Sequence, residues 1–446
     1  MTEPRVLSVW LNYYIFPSSL DQTREMAEQF EREHPEYRVD LRGLPYNDLA
    51  EEVAAAAERG EAPAVAEFFL TGGQEARDLR RPDGKPLFTS VEKAIGGRTE
   101  ILGETVNLDD IVGTVREYYS QDGELLSLPA RASSAILYGN RAVLEAAGIT
   151  EMPSTWAELE AACAAVAALP DGPEYGISWP NHGWLFQQEA AQQGVPILDN
   201  DNGRSGRAER VDLASTALVD YAIWWKRLQD LGYFLYCEDI DTNSCWGGPF
   251  EAFVQQRVAF TISSSVTAGA LAPSAEAAGF ELVAGRFPYN GDLPCVGNVV
   301  GGDSMWLADG LDPEIRDGAL AFMFFLNNPD NVVERHRHSF YMPFTRTAID
   351  RLENDGWFAE KPYTKVVIGQ LDDSDHSPVA LGPLCGNLDG IQLVLAQAMH
   401  EVLTEGADPK ERLVRATEDA QRLLDEYNAF VRGEGAPRSP RNIRLS

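Results

Sequence analysis

The chain opens with an apolar run, Arg5 to Leu11, patterned as a strand. Asp21 to Glu33 then puts Met26, Ala27 and Phe30 on one helical face, and His34-Pro35 ends that helix. Tyr37 to Leu44 predicts a second strand, and a polar, alanine-rich helix follows Pro45-Tyr46 as far as Arg59. Ala62-Pro63 leads into a third strand, Ala64 to Leu70, closed by Thr71-Gly72-Gly73. This βαβαβ alternation predicts an open doubly wound α/β lobe, with ligand groups just past the strand C-termini. Tyr13, Tyr46 and the Thr71-Gly72-Gly73 turn lie at such ends. No GxGxxG follows the first strand, so a dinucleotide site is not expected.

The pattern changes at Leu128-Pro129, where the proline biases its neighbour away from helix. Ala135-Ile136-Leu137-Tyr138 reads as a buried strand, and Asn140 can cap a short helix that Gly148 stops. Thr155 and Glu158 have the spacing of a capping box ahead of an alanine-rich helix. Further strands are expected at Tyr175–Trp179, Val258–Ile262, Phe280–Phe287 and Val299–Leu307. Helices are expected at Val211–Asp230, Pro249–Arg257 and Asp312–Asn327; beyond the Tyr341-Met342-Pro343 turn the chain is largely helical to Arg432. Gly433 to Ser446 reads as a polar, frayed tail.

A chain of 446 residues is too long for one core and suits two lobes. The net charge of −32, spread along the chain, argues against nucleic acid or an anionic membrane as partner. No apolar run reaches the length of a membrane span, and MTEPRVLSVWL lacks a signal peptide's basic and apolar regions. Two localisations follow: extracellular and membrane-associated if a leader has been removed, or cytoplasmic. Of five cysteines, Cys237 and Cys245 are close enough for a loop disulfide; five reduced, packed thiols are the alternative.

Three motifs in order resemble the bacterial solute-binding proteins of ABC importers, carbohydrate-binding type. They are Leu137-Tyr138-Gly139-Asn140, Ala147-Gly148-Ile149 and Pro153-Ser154-Thr155-Trp156-Ala157-Glu158-Leu159. Gly139 departs from the tyrosine usual there. The resemblance extends over Gln256–Ser265, Pro288, Gly301-Gly302, Ala319–Asn331 and Phe340-Tyr341-Met342-Pro343. Gly183-Trp184, Trp357-Phe358 and Gly386-Asn387-Leu388 bring it nearest to the glycerol-3-phosphate and glycerophosphodiester binders.

The resemblance implies an α/β, two-lobed periplasmic-binding-protein-like fold of type II with a hinge between lobes. The strand–helix alternation either side of Pro129 and Pro288 divides it into 1–128 plus 287–335 and 129–286 plus 336–446. It implies an interlobe cleft in which Trp184 stacks on a ligand, Tyr46 and Tyr341 hydrogen-bond it, and Ser133 or Ser134 and Ser264 or Ser265 supply hydroxyls. Gly301 and Gly302 would offer backbone amides, with Asp303 beside them. Arg131 and His182 are further candidates.

Two departures narrow the solute. Leu70 stands where the glycerol-3-phosphate binders have an acidic residue, and Leu384 where they have the phosphate-binding arginine. The expected ligand is a sugar, glycoside or polyol derivative, and Arg131 leaves room for an anionic group at its other end. No HExxH, P-loop, GxSxG or Cys/His metal spacing occurs, so neither catalysis, cofactor nor metal is expected. The expected partners are the small carbohydrate-like solute and an ABC permease, with the protein a monomer. The alternative is a cytoplasmic enzyme or carrier recruited from the same fold.

Overall fold

A computed structural model describes residues 3–14 and 17–434, so nearly all of the expected polar tail lies outside the described residues. The chain forms two compact units, Met1–Ala132 with Gly301–Asp355 and Ser133–Val300 with Gly356–Ser446. Relative to the expected division, residues 287–300 fall in the second unit, and 129–132 and 336–355 in the first.

The first unit is built on a six-stranded sheet. Its path runs Tyr37–Pro45, Arg5–Tyr13, Val65–Phe69, Gly301–Ala308, Phe88–Thr89, and Leu128–Ser133 also pairs with Gly301–Ala308. The first three strands are parallel, as a βαβαβ chain requires. Gly301–Ala308 enters antiparallel, with Asp303 opposite Phe69 and Trp306 opposite Ala66. On one side Leu49 and Val53 pack with Trp10, Phe68, Phe88 and Trp306. Phe30, from the Asp21–Glu33 helix, meets the edges of Phe322 and Phe325 at 5.2 and 5.5 Å. The predicted apolar face of that helix, Met26, Ala27 and Phe30, is buried.

The second unit has a four-stranded sheet in the order Tyr175–Ser178, Val258–Ser264, Ala135–Asn140, Leu282–Arg286. Local signals act where the sequence placed them. Asn140 accepts a hydrogen bond from the Val143 amide, and Gly148 is left-handed at φ 72°. Thr155 and Glu158 form the reciprocal capping box of the Trp156–Ala167 helix. One expectation is corrected: the helix predicted from Val211 begins at Thr216. Val211 instead bridges Leu198, and the Leu213 amide donates to Thr417 Oγ1 at 2.9 Å, which holds this segment extended.

The second unit also holds a stack of indoles. Trp156 is parallel to Trp224 at 4.8 Å, and Trp179 continues the stack at 5.6 Å. The cysteines answer the disulfide question. Cys245, buried, and Cys237, half-buried, are both thiols, so the loop disulfide is not formed.

Candidate ligand-binding site

In the first unit the strand ends carry a buried charge cluster. The Arg131 guanidinium contacts the Glu67 carboxylate through Nη2 and Asp303 Oδ2 through Nε at 2.8 Å. Asn12 Nδ2 donates to Asp303 Oδ1 at 2.8 Å and to the Glu67 carbonyl at 2.9 Å, while Arg131 Nη2 donates to the Asn12 carbonyl. The three charged side chains are only 11%, 6% and 2% exposed. The Tyr341 ring lies 5.3 Å from the guanidinium carbon.

Burial pushes the Asp303 carboxyl up, Arg131 pulls it down and Glu67 pushes it up again; the net direction is up. Burial works against the Arg131 charge, but Asp303 and Glu67 outweigh it and raise the pKa. Nearby Arg335 donates to the Ala130 and Leu326 carbonyls, and burial lowers it to about 10. The buried Tyr119 hydroxyl has no hydrogen-bond partner among the described residues.

Arg131, Gly302, Asp303 and Tyr341 are thus brought together in one unit. Gly302 has φ 119°, and a Cβ there would come within 2.1 Å of the Arg131 carbonyl oxygen, so only glycine fits. Tyr46 belongs to a separate aromatic group, stacked on Tyr14 at 5.0 Å and tilted against Phe69. Arg131, read as an open cation, is already paired with two carboxylates, Glu67 and Asp303.

In the second unit Ser134 and Ser265 meet. The Ser265 amide donates to the Ser134 carbonyl at 2.8 Å, and the Ser134 amide to Ser265 Oγ at 3.3 Å. The Ser134 hydroxyl is committed within the fold, donating to the Val299 carbonyl and accepting from Gln370 Nε2. The Ser264 carbonyl accepts from Tyr138, and Ser133 is buried at its strand end. His182 caps the Gly183–Gln192 helix, Nδ1 accepting from the Trp184 amide at 3.1 Å. Burial lowers its pKa to about 4, which keeps the ring neutral.

Beside His182 lies an aromatic corner. Trp246 is 5.2 Å from the His182 ring and 6.2 Å from the Trp184 ring. Trp184 is buried, and its indole Nε1 has no partner among the described residues. Leu384 and Leu70 are both buried side chains, and the Leu384 amide donates to the Asn202 carbonyl.

Sequence reasoning missed Glu67, Asn12 and Trp246. For Glu67 a signal existed: a lone carboxylate inside the apolar strand Ala64–Leu70 is costly unless paired. Asn12 and Trp246 carried no comparable mark.

Among the described residues no group of three or more His, Cys, Asp or Glu side chains could hold a metal ion. No described helix is long and apolar enough to cross a membrane. Burial pushes the Cys163, Cys245 and Cys295 thiols up, Cys295 to about 11, so none of these is an activated nucleophile.

The profile of the bacterial extracellular solute-binding proteins matches residues 25–365. The chain belongs to that family. The sn-glycerol-3-phosphate-binding periplasmic protein UgpB of Escherichia coli strain K12 is 26% identical over 411 residues, 90% of this chain and 89% of its own. A cyclic α-maltosyl-1,6-maltose binding protein from Arthrobacter globiformis is 19% identical with a TM-score of 0.74, over 94% of this chain and 99% of that one. UgpB from Mycobacterium tuberculosis, in complex with glycerophosphocholine, is 20% identical with a TM-score of 0.71, over 96% of this chain and all 100% of that one. The fold of this family member is thus the two-lobed periplasmic-binding-protein fold expected from its motifs.

Proposed function

We propose that the protein binds a carbohydrate-like small solute, a sugar, glycoside or polyol derivative, without altering it, and hands it to an ABC permease outside the cytoplasmic membrane. The observation that carries the ligand class is the Trp184–Trp246 corner with its unpartnered Trp184 N–H. Indole faces suit the C–H surface of a polyol or sugar ring, and a buried donor without an acceptor suits a ligand oxygen. Family membership supports binding and delivery. Relatives named for binding maltosyl sugars and glycerol 3-phosphate support a polyhydroxylated solute. Buried, apolar Leu384 supports a solute unlike glycerol 3-phosphate, since no guanidinium stands there to take a phosphate.

The test is a thermal-shift screen of neutral sugars, glycosides and polyols. A true ligand raises the melting temperature further as its concentration grows. For the best compound, Trp184→Ala should weaken binding by on the order of a few kcal/mol while the protein stays folded. Stabilisation by amino acids or peptides alone would overturn the reading. Unchanged affinity in the Trp184 variant would remove that residue from the site.

A further inference from the structure

We propose that Glu67 and Asp303 are specificity-determining residues. They convert the Arg131 guanidinium from an anion receptor into a fixed donor for uncharged ligand oxygens, so that the site refuses phosphate and carboxylate groups. This rests on the reading that Arg131 and Asp303 face the solute.

A bare arginine at a binding site recruits anions, because its planar fork matches two oxygens of a phosphate or carboxylate. Here two of the three guanidinium nitrogens are engaged by carboxylates before any ligand arrives: Nη2 by Glu67 and Nε by Asp303. An incoming phosphate would have to displace one buried carboxylate or lie beside two, and like charges brought together without water repel strongly. A hydroxyl meets no such barrier, since it donates to a carboxylate and accepts from a guanidinium.

The arrangement is also rigid. Asn12 ties Asp303 to the Glu67 backbone, and the Tyr341 ring flanks the guanidinium. The donor direction is therefore set in advance, which lowers the ordering cost of binding. Arg335, the other cation of the cluster, is directed at the Ala130 and Leu326 carbonyls and at Asn327 Oδ1. Removing the two carboxylates would leave both guanidinium groups unopposed. A merely structural ion pair would affect stability alone; a gate against anions also changes which ions bind.

The experiment uses the full chain and inorganic phosphate, titrated calorimetrically against chloride at matched ionic strength. The wild type should show no phosphate binding above the chloride control. Glu67→Gln/Asp303→Asn should bind phosphate about tenfold tighter or more, a change read directly from the dissociation constant. Adding Arg131→Gln to that variant should abolish the gain. Should the double variant not fold, Glu67→Gln alone keeps the Arg131–Asp303 pair and carries the same test. Phosphate binding by the wild type, or no gain in a folded variant, overturns the gate. A neutral ligand found in the screen with no phosphate gain refutes the gate alone. A phosphate gain with no neutral ligand refutes the carbohydrate reading alone.

Discussion

Gln188 pairs with both main-chain polar groups of one residue: its Nε2 donates to the Val299 carbonyl at 2.9 Å, and its Oε1 accepts from the Val299 amide at 3.0 Å. The same oxygen accepts from Asn298 Nδ2, and the Ser134 hydroxyl donates to the same Val299 carbonyl. Gln188→Leu keeps the bulk and orphans buried donors, so it should cost about 2–4 kcal/mol. Urea denaturation against wild type measures this, and an unchanged midpoint would show the grip to be dispensable.

The capping box at Thr155 makes a smaller, separable contribution. The Glu158 amide donates to Thr155 Oγ1 at 3.2 Å and the Thr155 amide to Glu158 Oε2 at 3.1 Å. Thr155→Ala should lose about 1 kcal/mol, and Thr155→Ser should restore most of it. A serine variant no better than alanine would argue against the cap.

Gly302→Ala is expected to be among the most damaging single changes. The residue would occupy φ 119°, with its Cβ 2.1 Å from backbone that the adjoining strand fixes. Circular dichroism melting should show a loss of several degrees or failure to fold. A wild-type melt would mean that the strand crossing adapts.

His182 makes stability fall on the acid side. Its folded pKa is about 4 against an ordinary 6.5, so the unfolded chain binds a proton that the fold excludes within that window. Stability is intact above about 6.5 and is lost as pH falls towards 4, by up to about 3 kcal/mol. His182→Asn retains a capping acceptor and should flatten this slope in denaturation curves recorded across the window.

Glu189 has the opposite sign. Burial raises its carboxyl well above the ordinary glutamate value, with Trp156 Nε1 donating to Oε1 at 3.2 Å. The fold takes up a proton there, so this contribution holds below the ordinary pKa and is lost as pH rises through the folded one. Glu189→Gln keeps the acceptor, and its stability advantage over wild type should grow with pH. A constant difference would mean that the carboxyl titrates normally.

The strands, helix caps and turns were legible because each is fixed by neighbours in sequence, as at Asn140, Gly148 and Thr155. The helix predicted from Val211 was misplaced because its first residues are held by Leu198 and Thr417, which are remote in sequence. The site was readable in part. Gly302 and Asp303 stand at a strand start that the glycine pair announces. Arg131 carried no sign of its state, since its charge is met by Glu67, 64 positions away. Gln188 and Gln370 carried no mark in the sequence, and the packed structure shows them buried against main-chain groups.

The Gly301–Ala308 strand lies between Val65–Phe69 and Phe88–Thr89, yet it is synthesised only after residues 133–300. A nascent chain emerging from the ribosome therefore carries an unfilled slot in its first sheet, with the Val65–Phe69 edge unpaired. The second unit waits as well, because Leu388–Thr404 and Pro409–Val431 come last of all. The first core cannot close until Gly301–Asp355 is made, and the second not until its last helices follow, so early intermediates are open to mispairing at that edge.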